Sequence, residues 1–296
     1  MADHFSAVGF PARNLEEMQE VLKVAFDRAD ESGASVEHAD GRTCRYEDPS
    51  GATLTIHVDR RGGFECCQPG FAGPSRSRWR PLQVVPDPDG CRFCDLVYAQ
   101  LLDDEDEELY PFAVRIETMA VSRELIPYGD PGEVGFVGLW EEGRVWPDEA
   151  TFARHQEAEW ADVSPPPEVS ELLPQVRGFA SRSVIPSGTF AFEDGAPVTP
   201  HVLAHGIVQT VEERHNQLRN APFRLVRLDT LGGTFDTCVA PGILEHEELL
   251  VPGAVAGGTL WLVGRPLTLR DAPGPVPTAE EKPRSGGLLG RFFGRR

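Results

Sequence analysis

Basic residues are scarce in this chain of 296 residues: 28 lysines and arginines stand against 47 aspartates and glutamates, for a formal net charge of -19. That balance keeps a protein soluble and argues against broad electrostatic binding to DNA or RNA. Long apolar runs are also lacking. The longest uncharged stretch, Leu249 to Gly264, is broken by Pro252 and several glycines and is too short to cross a bilayer as a helix. It reads as strand, turn and strand. The first residues lack the basic patch and apolar run of a secretory leader, which points to a cytoplasmic protein, at most peripheral to a membrane. Cysteines number six: Cys44, Cys66, Cys67, Cys91, Cys94 and Cys238. With no leader in view, reduced thiols packed as small core residues are the expectation. No internal repeat, P-loop, catalytic Ser-His-Asp set or nucleophile elbow is read.

What is present begins with a short strand over Phe5 to Phe10, ended by Pro11. A helix follows, with Asn14 as N-cap and Glu17 three residues on. Leu15, Met18, Leu22, Ala25, Phe26 and Ala29 recur at helical spacing until Ser32-Gly33. Short strands come next, at Val36 to His38 and Thr43 to Tyr46. Asp48-Pro49-Ser50-Gly51 is a turn, and Ala52 to Asp59 alternates Leu54, Ile56 and Val58 with Thr53, Thr55 and His57. Phe64 to Gln68 closes the set.

This order, carried by Arg13-Asn14-Leu15 at the helix entry and by Tyr46-Glu47-Asp48-Pro49-Ser50-Gly51, resembles one βαβββ module of the vicinal-oxygen-chelate (glyoxalase-like) superfamily. The likeness covers less than a quarter of the chain. It implies a metal site on the sheet face away from the helix, yet the position of the usual first-strand ligand falls near Ser6 or Ala7, which cannot serve.

Beyond Gly73 to Gly90, a Pro- and Arg-rich connection, strands are expected at Arg92 to Leu102 and Leu109 to Met119. The acidic run Asp103 to Glu108 between them reads as a solvated hairpin tip. Gly129 to Gly143 reads as turn-rich, and Pro147 to Trp160 and Glu168 to Val176 as helices. Strands at Val202 to Glu213, Phe223 to Thr230, Thr234 to Val239 and within Gly253 to Leu267 fit a small barrel like the OB fold. This half, through Ser183 to Gly188, Arg214-His215-Asn216, Asp229 to Gly233 and Gly258 to Leu262, also resembles an uncharacterised bacterial protein family, which implies a fold and no chemistry. The expected organisation is α+β, mostly β: a glyoxalase-like βαβββ module at 1–72, an extension at 73–178, an OB-like β-barrel at 179–270, and a linker and tail at 271–296.

Three constellations could carry function. If Asp59 pairs with Phe64, His57 lies opposite Cys66, and the pair would serve as the metal ligands of a glyoxalase-like enzyme. Cys91-Arg92-Phe93-Cys94 has half the spacing of a structural zinc site but finds no second pair, because Cys66 and Cys67 point to opposite faces of a strand. His201 and His205 share a strand face and read as surface residues. Arg214, Arg219, Arg224 and Arg227 could give an OB-like barrel a single-strand-binding groove, but neighbouring acids offset them, so nucleic acid is not the expected partner. In the tail, Leu288, Leu289, Phe292 and Phe293 share one helical face bordered by Arg291 and Arg295. The leading expectation is a non-catalytic interaction or adaptor protein without cofactor, whose tail docks on a protein partner or an anionic membrane surface.

Overall fold

The computed structural model describes residues 4–88, 90–91, 93–123, 126–161, 178–190 and 197–266. The expected strand at the start is instead a helical turn, α1 (His4–Ala7), followed by an irregular segment. From Ala7 to Phe10 every residue is buried, so neither face of this stretch is left for water and the alternation of a strand does not apply. The Phe10 N–H turns back to the Phe5 carbonyl at 2.8 Å. Gly9 lies at φ 74°, and a Cβ there would come within 2.6 Å of Asn216 Cβ. The segment is thus a buried strap, and the sheet that follows has helix-first order.

Helix α2 (Leu15–Glu31) starts at Asn14, whose side chain accepts the Glu17 N–H at 2.9 Å, while the Glu17 carboxylate accepts the Arg13 N–H. Val21, Leu22, Ala25, Phe26 and Ala29 form its buried stripe. They cover one face of an antiparallel sheet of β1 (Ser35–His38), β2 (Gly41–Glu47), β3 (Ala52–Asp59) and β4 (Phe64–Phe71). Leu54, Ile56 and Val58 face the helix stripe in one core cluster. The other face of β3 is buried too. Thr53 donates to Glu117 Oε2 at 3.2 Å, and Gln68 donates to the Ile116 carbonyl at 3.0 Å. Val58, not Asp59, pairs with Phe64, and a bulge then restores His57 opposite Cys66.

The strands in the rest of the described chain form one ten-stranded sheet. The segment expected as a connection contains β5 (Ser77–Val85), which pairs with β6 (Leu96–Leu102). The acidic tip Asp103 to Glu107 then turns into β7 (Glu108–Ile116). After the helical turn α3 (Met119–Ser122), the stretch read as turn-rich is a 15-residue strand, β8 (Gly132–Trp146). Helix α4 (Glu149–Trp160), capped by Asp148, follows. The expected helix at Glu168 to Val176 lies outside the described residues, as does the tail. Then come β9 (Ser183–Ile185), the helical turn α5 (Ser187–Phe190), β10 (His201–Asn216), β11 (Ala221–Thr230), β12 (Gly233–Val239), the two-residue β13 (Leu244–Glu245) and β14 (Val255–Pro266).

Glycines hid β8 because they mark close approaches rather than turns. A Cβ on Gly143 would sit 2.7 Å from the Gly257 carbonyl on β14, close to the bulge at Glu141, and one on Gly138 would sit 3.1 Å from Leu260.

Strands β8 and β14 run antiparallel along their whole length and each belongs to two closed rings. In one ring, β5, β6 and β7 form a meander that joins β8 through β5, while β7 runs parallel to β14. In the other, β10, β11 and β12 form a meander that joins β14 through β10, while β12 runs parallel to β8. The two rings have the same connectivity with the roles of β8 and β14 exchanged. A sequence repeat accompanies this. Pro131, Gly132, Val134, Leu139, Trp140, Gly143 and Arg144 recur at equal spacing as Pro252, Gly253, Val255, Leu260, Trp261, Gly264 and Arg265, so the chain does contain an internal repeat.

Asp48 fixes the small sheet to this double ring. Its carboxylate accepts the Tyr46 hydroxyl, the Ser50 N–H and hydroxyl, and the N–H groups of Gln217 and Leu218 at the β10–β11 turn. Asn216 completes the junction by donating to the Val8 carbonyl at 3.1 Å.

Candidate metal centre

The loop from β5 to β6 folds over the β3–β4 hairpin. It brings Cys91 and Cys94 to His57 and Cys66. Cys94 Sγ lies 2.6 Å from Cys91 Sγ and 3.3 Å from Cys66 Sγ, and the Cys66 and Cys91 sulfurs are in disulfide contact. His57, Cys66 and Cys94 each present a ligand atom within 4.8 Å of the others, the one such group of three among the described residues.

The imidazole shows what the cluster is built for. His57 is fully buried, with 0 % exposure. Its Nδ1 is 2.8 Å from Thr43 Oγ1, and its Nε2 is buried with no hydrogen-bond partner. Phe93 stacks on the ring at 5.1 Å, nearly parallel, and holds its orientation. Burial and, to a lesser extent, the nearby His38 push its pKa down to about 4, so the ring is neutral near pH 7 and keeps a lone pair. A Thr43-bonded Nδ1–H leaves that lone pair on Nε2, the tautomer a metal-binding histidine needs. A disulfide would use two of the four groups. One divalent ion would use all four and would satisfy the buried Nε2. Three thiolates and an imidazole match the preference of zinc, and C-x2-C is its usual ligand spacing.

His57 and Cys66 had a sequence signal in the hairpin register. Cys91 and Cys94 had one in their spacing. Nothing local announced that the two pairs meet, because the meeting depends on how the β5–β6 loop lies. Cys67 points the other way, into the helix-side core. Cys44 and Cys238 are core thiols, and burial raises the pKa of each.

The remaining candidates have other roles. His205 is not at the surface. It is buried among Phe152, Phe179 and Trp146, with Nδ1 3.0 Å from Ser183 Oγ. His201 stays half-exposed and shares the Glu141 carboxylate with His4, on either side of Trp261. Burial alone would raise the Glu141 pKa, but hydrogen bonds from His201 and His4 outweigh it and hold the pKa at about 2. The four arginines of the expected groove are each ion-paired: Arg214 to Glu212, Arg219 to Glu17, Arg224 to Glu213 and Glu247, Arg227 to Asp236. The tail residues Leu288, Leu289, Arg291, Phe292, Phe293 and Arg295 lie outside the described residues. Among the described residues, no helix is long and apolar enough to cross a membrane.

No protein-family model, curated protein or solved structure matches the chain.

Proposed function

We propose that this chain is a non-catalytic interaction protein in which one structural zinc ion, held by His57, Cys66, Cys91 and Cys94, clamps the N-terminal module to a pair of OB-like barrels. The observation that carries this reading is the buried, partnerless Nε2 of His57 in an imidazole grouped with the Cys66 and Cys94 sulfurs, both of which Cys91 Sγ adjoins. Four protein ligands fill a tetrahedral shell and leave no position for substrate, which favours a structural role over metal-dependent, glyoxalase-like catalysis. The meander-plus-pair order of each ring supports the OB-like assignment. The paired arginines argue against a single-strand-binding groove on the second barrel.

Zinc would gather the charge of three thiolates and fix the β5–β6 loop against the hairpin. The interaction itself is assigned to the tail around Phe292 and Phe293, docking on a protein partner. The clamp is tested by metal analysis of reduced chain purified without chelator, and by its thermal midpoint before and after chelation. A single zinc per chain, with a lowered midpoint once it is stripped, is the expected result. Reduced chain that holds no zinc and takes none up would end the reading.

A further inference from the structure

We infer that the same four residues form a peroxide-responsive site, in which oxidation joins Cys66 to Cys91 and expels the zinc ion. The inference rests on the zinc clamp proposed above. The four ligands differ in access: Cys66 and Cys91 are half-buried, whereas Cys94 and His57 are 1 % and 0 % exposed. The two accessible sulfurs are the two in disulfide contact. A hydroperoxide therefore meets first the pair that is already placed to bond.

The chemistry is a two-electron oxidation. One of the accessible thiolates attacks a peroxide oxygen, so that an S–O bond forms, the O–O bond breaks and hydroxide (or an alkoxide) leaves. The second thiolate attacks the resulting sulfenic sulfur, forming the S–S bond and expelling hydroxide. Protons from solvent convert both leaving groups to water, or to water and an alcohol. The sulfurs are oxidised and the peroxide is reduced. Two of four ligands and two negative charges are then lost to zinc. Cys94 and His57 alone form an incomplete shell, and the ion departs.

The two states keep the same connection. Zinc and disulfide each tie the β3–β4 hairpin to the β5–β6 loop, so oxidation changes what the junction holds without releasing it. Cys67, adjacent to Cys66 but facing the helix-side core, is not part of the exchange.

The test uses full-length, zinc-loaded chain free of added thiol, titrated with hydrogen peroxide. Zinc release is followed with a chromophoric chelator, and thiol pairing by non-reducing peptide mass spectrometry. The expected result is that zinc release and the Cys66–Cys91 crosslink rise together with equal amplitude, and that dithiothreitol plus zinc reverses both. Cys67→Ser should behave as the parent. Crosslink formed with zinc retained, zinc lost with sulfurs joined elsewhere, or no reaction at peroxide levels that oxidise free cysteine would each overturn the switch while leaving the clamp standing. A reduced chain without affinity for zinc overturns the clamp, and the switch with it.

Discussion

Trp140 and Trp261 sit on adjacent rungs of the β8–β14 ladder, each opposite the leucine that precedes the other: Trp140 pairs with Leu260, and Trp261 with Leu139. Neighbouring rungs point to opposite faces. Trp140 and Leu260 therefore enter the large core of the rings, while Leu139 and Trp261 face the cluster shared with the N-terminal module. One repeated sequence thus supplies an inner and an outer tryptophan. Trp140 is fully buried and donates to Thr237 Oγ1 at 3.0 Å. Trp140→Ala should cost about 3–5 kcal/mol in urea unfolding. Trp140→Phe should cost less, chiefly the hydrogen bond at about 1 kcal/mol and some packing. Trp261 is 9 % exposed and lies against His4, His201 and Arg115. Trp261→Ala should loosen the N-terminal strap and raise its amide exchange more than that of the rings.

Asp48 carries the junction with the β10–β11 turn. Asp48→Ala would leave the buried Ser50 N–H and Tyr46 hydroxyl and the part-buried Gln217 N–H without their acceptor, while the Leu218 N–H keeps Asn216 Oδ1. A loss of about 2–3 kcal/mol is expected, at about 1–3 kcal/mol for each stranded donor that water cannot reach. Chemical denaturation measures it. A loss below about 1 kcal/mol would mean that the junction is held elsewhere.

His205 makes stability depend on pH. Burial holds its pKa at about 4, against an ordinary value of 6.5. Below pH 6.5 the unfolded chain takes up a proton that the folded chain refuses. Its contribution is complete above that pH and is lost as the pH falls towards 4. About 3 kcal/mol is at stake over that window. A second imidazole, His155, packs against the same indole, Trp146. Thermal midpoints from pH 7.5 to 4 should fall less steeply for His205→Gln than for the parent, with the two curves converging at low pH.

Thr43 tests the metal centre without removing a ligand. Thr43→Val keeps the shape but deletes the oxygen that bonds His57 Nδ1. Zinc affinity, read by competition with a chelator, should drop about 10–100-fold while the far-UV spectrum stays unchanged. An unaltered affinity would show that the imidazole is oriented by Phe93 alone.

Gly257 lies where β14 passes His205, and a Cβ there would come within 2.1 Å of the imidazole. Neither the ring nor the strand has room to move, since aromatic rings pack around the imidazole. Gly257→Ala should destabilise by about 1–3 kcal/mol, the usual range for overpacking, as measured by the urea midpoint.

Much of the local structure was legible. The capping box before α2, the alternation of β3 and the strands of the second meander follow from patterns within a few residues. What was not legible depended on tertiary neighbours. Pro81 and two arginines disguised β5, whose basic side chains pair with Asp106 and Glu108 on the next hairpin. Glycines disguised β8, because close backbone approach and turn formation call for the same residue. The strap at Phe5 to Phe10 looked like a strand because it is apolar, and it is apolar because Ala7, Val8 and Phe10 are packed into the core. The candidate site divided in the same way. Each half, His57 with Cys66 and Cys91 with Cys94, was visible in its own segment, and only the fold of the β5–β6 loop made them one group.

The sharing of β8 and β14 has a consequence for how the protein is made. As the chain leaves the ribosome, all three strands of the first meander and β8 emerge early, yet their ring lacks its closing strand until β14 has been synthesised. The second ring waits for the same strand. Neither barrel can mature ahead of the other, and the early meander must remain open-edged through most of translation. Assembly should therefore be late, slow and concerted, and a nascent chain stalled before Val255 should be protease-sensitive in both halves rather than in one.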